Sequence, residues 1–130
     1  MYSWLFGLKA EIRSLNRDAA SIVRSTREGR SSETQAAMAL ATRKALRLAR
    51  EHAEQPGNEG KTLDYLKSLH REARRARHEV YLTGYTFAII HVRALEIGEP
   101  TQAARTCIED FLADWAHVEE PDEPETHIRF

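Results

Sequence analysis

Leu66, Leu69, Ala73, Ala76, Val80, Thr83, Phe87, Ile90, Ala94 and Ile97 follow one another at alternating spacings of three and four residues. Nine of the ten are apolar, and on a helix all ten share one face. The pattern therefore predicts a continuous helix over 62–97, with Thr62 as its N-cap, Gly98 as its stop and Pro100 behind it. Val80–Phe87 also has high β propensity, and Thr83-Gly84 could make a turn. No second segment offers a sheet partner, and the unbroken heptad phase decides for helix. Gly84 then stands as a possible bend, costing about 1 kcal/mol against alanine.

Three further helices are predicted around this rod. Leu5, Leu8, Ile12, Leu15, Ala19 and Ile22 repeat in the same rhythm, giving a first helix from about Ser3 to Glu28, closed by Gly29. Ser32 and Gln35 form a capping-box pair opening a second. Its alanines, Ala37, Ala41, Ala45, Ala49 and Ala53, lie four apart beside Met38 and Leu48, small enough for a neighbouring helix to approach closely. The polar run 55–60, with Pro56, Gly57 and Gly60, ends that helix. The last helix is expected from Thr101 to about His117, with Ala104, Ile108, Phe111 and Trp115 as its stripe and Cys107 and Leu112 beside it.

The outward sector of the predicted rod changes character along its length. Lys67, Arg71, Arg74, Arg75 and His78 cluster opposite the apolar stripe; further on, the same sector carries Tyr81, Leu82, Tyr85, Ala88, Ile89, Val92 and Leu95. The second half of the rod therefore needs cover on both sides. The last helix, folded back antiparallel after 98–100, is the expected cover. The predicted fold is all-α: a four-helix bundle with a long central third helix, residues 1–117 forming one domain and 118–130 an acidic, proline-containing tail.

Composition narrows the setting. The chain of 130 residues is 42% hydrophobic and 30% charged, typical of a single globular domain. Its longest uncharged stretch, Val80–Val92, has 13 residues, short of the roughly 20 a bilayer crossing needs. Met1–Leu8 has neither the basic leader nor the apolar run of a signal peptide. One cysteine, Cys107, cannot form an internal disulfide, which points to a reducing, cytoplasmic setting. Fifteen arginines against four lysines suggest a GC-rich bacterial genome.

Charge is unevenly distributed. Residues 1–98 carry a net +6 and residues 99–130 a net −7. Glu119, Glu120, Asp122, Glu123 and Glu125, interrupted by Pro121 and Pro124, are expected to lie over the basic sector 67–78 and screen it.

Candidate chemistry adds little. Gly60-Lys61-Thr62 before a helix resembles the end of a phosphate loop, but Gln55 stands where the first glycine belongs and no strand precedes it. Asp110, Asp114 and His117 share a helix face without an evident partner set, and His91 reads as a core-edge histidine, so no metal or cofactor is expected. Cys107 sits on an apolar face, no nucleophile elbow is present, and no small-molecule substrate is evident.

What remains is binding. Lys67, Arg71, Arg74, Arg75 and Arg77 are the candidate residues for an acidic partner surface, and Tyr2, Trp4 and Phe6 for an apolar one. The expected function is a small non-enzymatic protein-interaction or regulatory module that self-associates, as a homodimer. The alternative is a nucleic-acid-binding protein using the same cations against phosphates, screened by the tail.

Overall fold

The computed structural model describes the backbone of residues 3–120 and the side chains of residues 7–120. Among the described residues there are five α-helices and no strand: α1 (Ser3–Gly29), α2 (Ser32–Glu54), α3 (Thr62–Arg75), α4 (Glu79–Ile97) and α5 (Gln102–Asp114), with a 3₁₀ turn at Glu99–Thr101 leading into α5. The all-helical class matches the periodicity. The long third helix does not: the predicted rod is two helices, α3 and α4, broken at 76–78.

The break is a C-terminal cap of the Schellman type. Arg77 adopts a left-handed backbone, φ 55°. Its N–H bonds to the Arg74 carbonyl at 3.1 Å, and the His78 N–H reaches back to the Ala73 carbonyl at 3.0 Å. His78 then caps the next helix, its Nδ1 accepting from the Tyr81 N–H at 3.4 Å. Folding α3 back at this point covers the outer sector of α4 with the same chain. Tyr81, Tyr85, Ala88, Ile89 and Val92, expected beneath the last helix, instead join Leu66, Leu69 and Ala73 of α3 and Ala45 and Ala49 of α2 in one apolar cluster.

A second cluster lies on the other side of α4. There Phe87, Ile90 and Ala94 meet Ala19 and Val23 of α1, Ala39 of α2, and Ile108 and Phe111 of α5. The rings of Phe87 and Phe111 have centroids 5.5 Å apart. Helix α4 is therefore wrapped on both faces, as a helix apolar around its whole circumference requires. Each large side chain it hides contributes about 1.5–3 kcal/mol of burial free energy. The heptad positions that look like one stripe are divided between the two clusters.

Helix α2 crosses α4 closely through small residues. Ala41, Ala45 and Ala49 are buried there, whereas Ala37 is half-buried and Ala53 exposed. A Cβ placed on Gly84 would stand 2.8 Å from the Ala41 Cβ, 2.9 Å from the Ala41 carbonyl carbon and 3.0 Å from the Thr42 nitrogen. Gly84 is thus a contact residue rather than a bend.

The caps differ in detail from the sequence pattern. Ser31, not Ser32, caps α2, its Oγ accepting from the Thr34 N–H at 3.2 Å. Gln35 does not close a capping box; its Nε2 donates to the carbonyls of Arg27 and Arg30 and ties the α1–α2 turn. Lys61 occupies the cap position of α3 without a side-chain bond, and the Thr62 hydroxyl lies 3.3 Å from Nδ1 of His52. Thr101, fully buried, donates to the carbonyls of Ala94 and Gly98 and locks the turn into α5. Helix α5 ends at Asp114, short of His117.

Candidate interaction surface

Helix α3 is sharply two-sided. Leu66, Leu69 and Ala73 pack inward, and His70 reaches α4, its Nε2 3.2 Å from the Thr86 hydroxyl. Because Thr86 donates its own hydrogen to the Leu82 carbonyl at 2.8 Å, its oxygen accepts from His70, which is held as the Nε2–H form. Burial, helped by the Arg74 charge, pulls the His70 pKa below the ordinary imidazole value. The folded protein therefore keeps His70 neutral while the unfolded chain begins to protonate near pH 6.5. This contribution to stability is complete above about pH 6.5 and is lost as pH falls through the folded-state value. Urea titrations at pH 7 and 5.5 should show a larger loss of stability in the wild type than in His70→Gln, which keeps an N–H donor but cannot protonate.

The outer side of α3 is cationic. Lys67, Arg71 and Arg74 stand at i, i+4 and i+7 on one stripe, spanning about 10 Å, with Arg75 beside them and Arg77 at the hairpin tip. All five are exposed. None of the five side chains makes an ion pair or hydrogen bond among the described residues. Only one carboxylate, Glu72, falls within 67–77. Elsewhere in the fold four arginines meet carboxylates: Arg27 with Asp114 at 2.8 Å, Arg30 with Glu79, Arg47 with Glu120, and Arg93 with Glu11 through bonds of 2.7 and 2.8 Å. The Arg93 hydrogen bonds hold the Glu11 carboxyl below the usual carboxylate range.

The described part of the acidic tail does not go to α3. Arg43 donates to the Val118 carbonyl at 2.6 Å, and Arg47 donates to both carboxylate oxygens of Glu120 at 3.0 and 2.8 Å. The tail begins against α2, on a row of arginines at the same i, i+4, i+7 spacing: Arg43, Arg47 and Arg50. That row is legible in the sequence, but the alanines of the same helix masked it. Residues 121–130 lie outside the described residues.

The apolar candidates sit at the start of α1. Helices α1 and α5 run parallel and in register. Asn16 accepts from the Ala104 N–H and donates to the Pro100 carbonyl, Cys107 lies against the Ala19 carbonyl, and Arg27 meets Asp114. This constant offset leaves the first turns of α1, up to about residue 10, extending past the start of α5. Trp4 and Phe6 fall on those turns, but their side chains, and Tyr2 altogether, lie outside the described residues. At the same end of the bundle Leu95 of α4 is 58% exposed.

The remaining candidates are occupied by packing. Burial pushes the Cys107 thiol above its ordinary value, the direction of an inert cysteine. His91 faces Glu109 at 3.5 Å, and His117 stacks on Trp115. Among the described residues no three His, Cys, Asp or Glu side chains gather as a metal site, and no helix is long and apolar enough to cross a membrane. Comparison with protein-family models, curated proteins and solved structures brings no match to this chain.

Proposed function

We propose that this protein is a cytoplasmic helical binding module that acts without catalysis and presents the outer face of α3 to an acidic protein surface. The observation that carries the reading is that Lys67, Arg71, Arg74, Arg75 and Arg77 lie together, all exposed and without an ion pair among the described residues, whereas Arg27, Arg30, Arg47 and Arg93 each meet a carboxylate. Hydrophobic packing fixes this face in place, since Leu66 and Ala73 directly behind it are fully buried. Self-association through the overhanging turns of α1, as a homodimer, belongs to the same proposal and rests on their apolar sequence.

The test uses fluorescence anisotropy with a labelled glutamate-rich peptide and a random DNA duplex, each at two salt concentrations. The module reading expects peptide binding that a K67E/R71E/R74E variant abolishes, with little duplex binding. The alternative, a nucleic-acid-binding protein, expects duplex binding whose logarithmic salt slope rises by roughly 0.9 for each phosphate contact. Arginine's planar donor fork suits either carboxylate or phosphate, so the salt slope decides between them. Light scattering on the full chain tests the dimer, and a monomer at all concentrations removes that part.

A further inference from the structure

The chain that leaves α5 runs along α2 in the same direction as the helix. Val118 lies at Arg43 and Glu120 at Arg47, so two residues of tail match one turn of helix. The strides agree physically: extended or polyproline backbone advances about 6 Å in two residues, and four helical residues rise 6 Å. Pro121 fixes its own φ and biases Glu120 toward extended backbone, so the sequence favours continuing the same stride. Arg50 is next in the row, exposed and without a side-chain partner among the described residues. It lines the same groove of about 490 Å³ as Arg43, Leu46, Arg47, Val118 and Glu120. Beyond Arg50 the row ends, because Glu54 follows one turn later.

We propose that the arginine row Arg43–Arg47–Arg50 of α2 is a docking groove for the chain's own acidic C-terminal segment, which continues from Glu120 so that Asp122 and Glu123 close on Arg50. The segment neutralises this row within the molecule and leaves the α3 face as the cationic surface open to partners. Two features commit the groove to this occupant: it is already entered by residues 118–120, and the next residues of the chain carry the opposite charge. The inference stands independently of what the α3 face binds.

Arginine Nε–Hε signals in NMR spectra test it on the full chain. In D122N/E123Q the Arg50 signal should move toward its position in a chain ending at residue 118, while the Arg47 signal stays close to wild type. Raising salt from about 0.05 to 0.5 M, which shortens the screening length to a few ångströms, should move the Arg50 signal the same way. A synthetic peptide of residues 119–130 should shift Arg43, Arg47 and Arg50 of the truncated chain and leave the full-length protein unchanged. An Arg50 signal identical in wild type, D122N/E123Q and the truncated chain overturns the proposal. So does an Arg50 shift that depends on protein concentration, which would assign the groove to a second copy's tail. The substituted residues follow α5 in the sequence, and thermal melts of each variant check that the fold is retained.

Discussion

Replacing Gly84 with alanine is expected to lower the melting temperature by several degrees, even though alanine is the better helix former by about 1 kcal/mol. The added methyl would meet the Ala41 Cβ at 2.8 Å and two backbone atoms of α2, the Ala41 carbonyl carbon and the Thr42 nitrogen, at 2.9 and 3.0 Å. A side chain could rotate away; backbone in the middle of a helix cannot. The helices must therefore separate, and α4 is wrapped by both apolar clusters, so the shift loosens contacts on each side. Overpacking of this kind costs about 1–3 kcal/mol and occasionally more. The clash is with backbone, which puts the cost at the upper end of that range; less the helix-propensity gain, it leaves a net loss on the order of 2 kcal/mol, or roughly 8 °C in a domain of this size. Gly7 supplies the control. Among the described residues nothing lies within 4 Å of a Cβ built there, so Gly7→Ala should leave stability unchanged or raise it by up to about 1 kcal/mol. Differential scanning calorimetry of both variants measures the contrast, and equal effects at the two sites would show that the α2–α4 crossing yields cheaply.

Arg77 makes the second prediction, in which stability and binding move in opposite directions. A left-handed conformation costs a non-glycine residue about 1–2 kcal/mol, and Arg77 holds one at φ 55°. Arg77→Gly should relieve most of that. Part of the gain is returned because glycine makes the unfolded chain more flexible, leaving a net stabilisation of about 0.5–1 kcal/mol. Arg77→Val, β-branched and ill suited to this region, should instead destabilise by about 1 kcal/mol or more. Both variants remove a cation from the α3 face, so both should weaken the acidic-peptide binding proposed above. Urea denaturation beside anisotropy reads the two effects separately. If Arg77→Gly gains stability without losing affinity, Arg77 serves the turn alone and does not belong to the binding surface.

The turn between α3 and α4 carries no local mark in the chain. The apolar phase passes through Ala73, Ala76 and Val80 without interruption, and neither glycine nor proline marks 76–78. Local rules therefore favour a continuous rod. The exposed apolar sector of α4 supplies the opposing term, since Tyr85 and Ala88 end fully or nearly buried only when α3 folds back over them. Burying several large side chains outweighs a single strained arginine by several kcal/mol. The signal was present as a change from a two-sided helix before residue 76 to an all-round apolar one after it. That change resolves into a hairpin because α5 lies against α1, through the Asn16–Ala104 and Arg27–Asp114 contacts, and against the opposite side of α4, where Phe87 meets Phe111.

The candidate site divides in the same way. Lys67, Arg71 and Arg74 could be placed on one face from their spacing alone, because helical periodicity is local and a break at 77 leaves it intact. Where the acidic tail begins its course could not be read. Two cationic rows of equal spacing were available, on α2 and on α3, and only the direction in which α5 ends selects Arg43 and Arg47.

The sequence by itself determined the helical class, the limits of α1, the close approach of small residues on α2 and the cationic face of α3, since each follows from interactions within a few residues of chain. Tertiary structure alone decided that the apparent rod folds into a hairpin, that Gly84 is a contact instead of a bend, and that the tail starts on α2. The first two outcomes depend on which apolar surfaces compete for the same cover and the third on where α5 ends, a global balance that no local pattern encodes.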